Sequence, residues 1–181
     1  MSIQLVFETH STSVDNERGI ATGWLDGELS DAGREQAGLL GERRRDDGID
    51  LVVVSDLRRA VETVEIAFAG SALPIRFDRR LRECNYGDWN GMPRARLEAE
   101  RPKRIDVPFP GGESWREAVQ RNGGFLDELR AGDSRRVLLV GHVATRWALD
   151  HIVNGVPLEQ LAAEPFAWRP GWEYALDAKM G

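Results

Sequence analysis

The sequence has 181 residues, with 24 basic and 30 acidic side chains for a formal net charge of −6; 41% of residues are hydrophobic and 30% charged. A chain of this size folds as one ordinary domain, residues 1–181, and buries roughly 70% of its unfolded surface without disulfides or metals. The composition excludes wholesale disorder, the acidic balance argues against nucleic acid as a partner, and the single cysteine, Cys84, excludes an internal disulfide and a multi-cysteine metal site.

The chain opens with Ile3–Phe7, an apolar run suited to a buried strand, and breaks into the polar cluster Glu8–Ser13. After a Gly- and Asp-rich stretch, Ser30 reads as the N-cap of a helix that carries Ala32, Gln36, Leu39 and Leu40 and ends near Gly48. Ile49–Val54 is a second continuous apolar strand. Ser55-Asp56 is expected to cap a helix containing Leu57, Ala60, Val61, Val64 and Phe68. Ile75–Phe77 reads as a third strand, Leu81–Pro93 as a loop and Arg94–Arg101 as a short helix. Pro102–Gly112 is a long connection. Ser114 starts a helix to about Ala131, Arg135–Gly141 holds a fourth strand, Thr145–Val153 is helical, and Phe166–Leu176 is expected to supply final strands. Apolar strands alternating with helices predict an α/β fold: a three-layer α/β/α sandwich around a mostly parallel sheet. No apolar run approaches the ~20 residues of a membrane span and no signal-peptide pattern is present, so a soluble, cytoplasmic protein is expected, with no membrane partner.

Ligands of such sheets bind at the carboxyl ends of strands. Here His10 follows the first strand, Ser55-Asp56-Leu57-Arg58-Arg59 the second and Gly141-His142 the fourth, while His151 lies within a predicted helix. A metal site is disfavoured because His10 and His142 lack neighbouring carboxylates at ligand spacing, and no metal or other cofactor is expected. A serine hydrolase is disfavoured because Gly-x-Ser-x-Gly is absent. Phosphoryl transfer to a histidine suits the set, since a neutral imidazole is a good nucleophile and cationic donors absorb the phosphoryl charge.

The order of motifs then resembles the histidine phosphatase superfamily, also called phosphoglycerate mutase-like. His10 is followed six residues later by Asn16. Gly23-Trp24-Leu25-Asp26-Gly27-Glu28-Leu29-Ser30-Asp31-Ala32-Gly33-Arg34-Glu35-Gln36-Ala37 resembles Gly-x-x-Asp-x-x-Leu-Ser-x-x-Gly-x-x-Gln-Ala. Ser55–Thr63 is similar to Ser-x-Leu-x-Arg-Ala-x-x-Thr, and Leu81–Gly91 to Leu-x-Glu-x-x-Phe-Gly-x-Trp-x-Gly. Pro110-Gly111-Gly112-Glu113-Ser114 and Gly141-His142 complete the order.

The resemblance implies a phosphatase acting on a small phosphate monoester through a phosphohistidine on His10. Glu83 would be the general acid, and Arg59 and His142 would bind the phosphoryl oxygens. Asn16 would be an auxiliary contact, with Thr22 and Gly23 also among the phosphate- or substrate-binding positions. One departure stands out. Thr9 occupies the place of an arginine, Ser11 that of a glycine and Thr12 that of a glutamate. By analogy with deleting one oxyanion donor, a lost arginine costs roughly 3 kcal/mol, about two orders of magnitude in rate. Arg82, Arg146 and Arg18 are candidates to replace the charge, and the hydroxyls of Thr9, Ser11 and Thr12 to donate hydrogen bonds. A catalytically impaired relative that binds a phosphorylated ligand or a protein partner is the alternative, and phosphoglycerate mutase-type transfer a second. A chain of this length leaves little sequence for the lid a mutase needs, which favours hydrolysis.

Six tryptophans are many for this length. Trp24 and Trp89 fall in the motifs near the expected site, and packing is the expected role of both. Trp168–Tyr174 is expected to pack over the sheet, line the pocket or form a contact in a possible homodimer. Cys84 is expected to be a buried, inert thiol.

Overall fold

A computed structural model describes residues 2–177. Five strands form one sheet: β1 (Ser2–Thr9), β3 (Leu51–Val54), β4 (Ile75–Phe77), β6 (Arg136–Gly141) and β7 (Trp172–Asp177), in the order β4-β3-β6-β1-β7. All pair in parallel except β7, which runs antiparallel to β1 at the edge. The expected mostly parallel sheet is therefore present. Only its last part needs correction: residues 166–171 are not a strand, and Phe166 and Trp168 stay exposed there.

Pleating alternates the two faces of β1. Val6 joins Val52, Val54, Leu138 and Val140 on one face, under Leu40 of α2 (Asp31–Arg44) and Ala60 and Val64 of α3 (Arg58–Ala67). Leu5 and Phe7 face the other way. They pack with Phe125 and Leu126 of α5 (Trp115–Leu129) and Leu149 of α6 (Val143–Ile152). Gly41 lets α2 approach α3, because a Cβ there would run into the carbonyl of Ala67. Ser114 closes a capping box at the start of α5, as its sequence position suggested. The expected cap of α3 is different. Leu57 is the N-cap, and the Ser55 hydroxyl instead accepts from the Leu57 N–H.

The short elements escape sequence patterning. They are α1 (Val14–Glu17), a two-stranded ribbon of β2 (Ile20–Ala21) with β5 (Met92–Pro93), α4 (Arg94–Glu100), and α7 (Leu158–Ala163); of these only α4 was expected. Under the ribbon and α4 lies a third apolar cluster containing Cys84, Tyr86, Phe109, Trp115 and Trp147. Cys84 is fully buried, and burial raises its thiol pKa, in keeping with an inert role. No helix among the described residues is long and apolar enough to cross a membrane.

Candidate active site

The ends of β3, β6 and β1 lie side by side because those strands are neighbours in the sheet. The His10 N–H donates to the carbonyl of Gly141 at 3.0 Å, and the Ser55 N–H to that of Val140 at 3.0 Å. These bonds continue the ladders one step past each strand and place the two imidazoles together, with ring centroids 5.0 Å apart. Arg59 enters from the first turn of α3 and is buried between them. Its Nε is 3.3 Å from Nε2 of His10, and its Nη2 is 3.3 Å from Nδ1 of His142.

The hydrogen bonds determine which nitrogens carry protons. The Nδ1 of His10 lies 2.7 Å from the carbonyl of Ser11, which can only accept, so Nδ1 holds the hydrogen and Nε2 keeps its lone pair. For His142, Nδ1 accepts from Arg59, so Nε2–H donates to the Ser55 hydroxyl at 2.9 Å. Both rings are neutral. Burial, and then the Arg59 charge, lower the His10 pKa to about 3, with the Ser11 carbonyl only partly opposing. Burial likewise drives His142 well below its ordinary value, helped by Arg59.

The loop holding His10 is fixed from several sides. The Ser11 N–H donates to the Thr63 hydroxyl at 3.0 Å, which itself donates to the carbonyl of Arg59 at 2.7 Å. Gly33 permits the carbonyl of Thr12 to sit against the first turn of α2, where any Cβ would collide with it.

Glu83 follows a 3-10 turn at Arg79–Leu81. Arg121 of α5 clamps this segment by donating to the carbonyls of Arg80, Arg82 and Glu83, while the Trp24 indole N–H also donates to the carbonyl of Glu83 at 2.7 Å. The carboxyl of Glu83 is buried. Its Oε1 accepts from the N–H groups of Cys84 at 2.9 Å and of Ala144 at 3.1 Å, in the first turn of α6. Burial raises its pKa above the ordinary carboxylate value. The Cys84 N–H, the Arg59 charge and the helix N–H groups oppose that shift without cancelling it.

The structure thus brings His10, Arg59, His142 and Glu83 together, and sends several other candidates elsewhere. Arg82 is held by Asp56 through two bonds of 2.6 and 2.7 Å and stacks on Trp24 at 4.7 Å. Arg146 pairs with Asp150 at 3.1 Å and lies over Trp172 and Phe166. Arg18 is exposed. Neither Arg82, Arg146 nor Arg18 contacts His10, so among the described residues Arg59 is the one guanidinium hydrogen-bonded to it. Both the N–H and the hydroxyl of Thr12 go to Gln36. The side-chain oxygen of Asn16 closes the capping box of α1 with Ser13. Thr22 donates to Asp15 at 2.8 Å, and Gly23 reaches the site through its carbonyl, which accepts from Arg59 at 2.9 Å. Gly23 has φ +59, and a Cβ there would collide with Asn90. Thr9 ends β1 opposite Gly141, on the same face as Phe7 and α6. Ser55, Thr63 and Arg121 received no role from the sequence. Ser55 and Thr63 stood inside a recognised motif, but Arg121 carried no signal in the sequence. Ser55→Ala is expected to lower turnover about tenfold, by freeing the ring of His142, as measured by steady-state kinetics.

A family model described as the histidine phosphatase superfamily (branch 1) matches residues 5–167. The chain is 34% identical over 171 residues to a glucosyl-3-phosphoglycerate phosphatase of Mycolicibacterium vanbaalenii, covering 86% of this chain and 76% of that protein. It is 34% identical over 172 residues to a 2,3-bisphosphoglycerate-dependent phosphoglycerate mutase of Cytophaga hutchinsonii, covering 87% and 80%. The solved structure of a mycobacterial glucosyl-3-phosphoglycerate phosphatase complexed with VO3 superposes with a TM-score of 0.79 at 31% identity, over 89% of this chain and 86% of that one. A family match that opens inside β1 and closes just before β7 takes in the ends of all three central strands: the chain belongs to the histidine phosphatase superfamily, branch 1.

Proposed function

We propose that this phosphatase of the histidine phosphatase type hydrolyses a small phosphate monoester through a phosphohistidine on Nε2 of His10, with Glu83 as the general acid. The observation that carries the reading is the tautomer of His10: Nδ1–H is tied to the Ser11 carbonyl, so the Nε2 lone pair faces Arg59 in a neutral ring. That lone pair attacks phosphorus in line with the ester oxygen. The P–O bond breaks as the Glu83 carboxyl gives its proton to the departing alcohol. Water then attacks phosphorus and loses a proton to the Glu83 carboxylate, and the P–N bond returns its electrons to His10. Arg59 donates to the phosphoryl oxygens through both steps, and His142 joins it by taking a proton on Nδ1 as the phosphate dianion enters, its Nε2–H remaining on Ser55. Rapid acid-free quench during turnover should trap an alkali-stable, acid-labile phosphoryl group on His10, and its absence under single-turnover conditions would remove the covalent reading.

The named relatives act on esters of glycerate, which places phosphorylated hydroxy acids first among the substrates to try. The pocket works with one guanidinium where the family pattern carries two. Thr9→Arg is therefore expected to raise kcat/KM for p-nitrophenyl phosphate by about 10- to 100-fold, the reverse of deleting an oxyanion donor. An unchanged kcat/KM in a folded variant would mean that the pocket has no place for a second cation at this position.

A further inference from the structure

Glu83 is held at both of its ends. Its carbonyl accepts from Nη2 of Arg121 at 3.1 Å and from the Trp24 indole N–H at 2.7 Å. Its Oε1 accepts from the N–H groups of Cys84 at 2.9 Å and of Ala144 at 3.1 Å. With Oε1 taken up by two donors, the carboxyl proton belongs on Oε2. The segment that carries this group has little regular structure of its own: one 3-10 turn, Arg79–Leu81, precedes it and another, Gly87–Trp89, follows. An acid on such a segment needs its place fixed from outside, because a displacement of about 1 Å costs about 10²-fold in rate.

The guanidinium of Arg121 has five N–H groups, and each meets an acceptor. Nη1 donates to the carbonyls of Arg80 at 2.7 Å and Arg82 at 3.1 Å, Nη2 to that of Glu83 and to Glu113 at 2.8 Å, and Nε to Glu113 at 2.8 Å. Glu113 in turn accepts from the Asn85 N–H at 3.0 Å, and its own N–H donates to the Asn85 carbonyl at 2.8 Å. The ion pair therefore braces the chain on both sides of Glu83. Trp24 belongs to the same brace, with its ring 4.7 and 5.7 Å from the guanidiniums of Arg82 and Arg121. Neither Arg121 nor Glu113 hydrogen-bonds His10, Arg59 or His142.

We propose that the Arg121–Glu113 pair is the positioning device of the general acid. It fixes the backbone of residues 80–85 so that Oε2 of Glu83 meets the leaving oxygen, and it acts on the reaction through Glu83 alone. The proposal rests on the reading of Glu83 as general acid given above. Both members are positioning residues, and their effect should follow how much proton the leaving group needs.

The test is Arg121→Lys. Lysine keeps the charge, which His142 also feels, but offers three donors without a fork to five acceptors. The substrates are three alkyl esters (glycerol 3-phosphate, 3-phosphoglycerate and glucose 6-phosphate) and p-nitrophenyl phosphate, whose phenolate leaves without protonation. In the variant kcat should fall about 30-fold on the alkyl esters and about 3-fold or less on the nitrophenyl ester, with KM within about twofold throughout. In a Glu83→Gln background the same change should add about 3-fold or less on the alkyl esters, because the acid it positions is gone. Glu113→Gln should show the same split at about tenfold, and keeps the test alive if Arg121→Lys does not fold. Equal losses on the two ester classes, no loss on either, or a full further loss in the Glu83→Gln background overturns the positioning role, while Glu83 keeps its own if Glu83→Gln alone shows the split. No split in Glu83→Gln, or a wild-type protein that hydrolyses the nitrophenyl ester and none of the alkyl esters, overturns the general-acid reading, and the positioning role falls with it.

Discussion

His10→Ala is expected to reduce kcat/KM by roughly 10⁴-fold or more on every phosphate monoester and to abolish the phosphoenzyme, because a covalent route loses its acceptor atom altogether. No neighbouring group takes over. The other imidazole, His142, is buried where His10 is partly exposed, so its remaining lone pair, on Nδ1, is not presented to an incoming ester. The substitution removes a side chain from the end of a strand and keeps the backbone bond from residue 10 to Gly141, so the fold is expected to persist. The measurement is phosphate release under saturating enzyme, with circular dichroism to confirm folding. Activity within tenfold of wild type would transfer the nucleophile role away from His10.

Glu83→Gln is expected to cost about 10²- to 10⁴-fold with alkyl phosphates, the usual worth of a general acid. Glutamine keeps an oxygen to accept from the N–H groups of Cys84 and Ala144, but has no proton to give at the leaving alcohol. With p-nitrophenyl phosphate, whose phenolate leaves without protonation, the loss should shrink to about tenfold or less. The pH profile follows from the same group. As the proposed general acid, Glu83 would act in its protonated form, and burial raises its pKa. Wild-type kcat/KM should therefore fall as pH rises through that elevated pKa, and the Gln variant should lack this alkaline limb. On the acid side His10 must stay neutral. With its pKa lowered to about 3, no loss from His10 is expected until the pH approaches that value. Equal losses on alkyl and nitrophenyl esters, or an alkaline limb that survives in the variant, would assign the proton to another group.

Much of the architecture could be read before folding was considered. Leu51–Val54 and Val137–Val140 are continuous β-branched and leucine runs, and such runs fit strands buried on both faces. Ser30 and Ser114 cap the helices that follow them, since the cap bond spans three residues and is written locally. The errors lie where a distant partner decides. The stretch from Phe166 contains aromatic residues throughout, yet only Trp172 onwards pairs with β1, and the exposed Trp168 belongs to a loop. Arg82, adjacent to Glu83 in sequence, turns to Asp56, 26 residues away. Thr12, two residues from His10, turns to Gln36. Short elements such as α1 and α7 are below the length at which periodicity is informative.

Which groups stand after which strand is written locally along the chain: His10, Ser55 to Arg59, and Gly141-His142, with Glu83 in a separate loop. That order depends on local patterning and needs no knowledge of contacts. What those groups are chemically depends on the packed molecule. The tautomer of His10 depends on one carbonyl, its low pKa on burial and on Arg59 from 49 residues away, and the raised pKa of Glu83 on a site closed by α6. Protonation is set by local dielectric and by charges within a few ångströms, and both are properties of neighbours in space, whatever their distance along the chain.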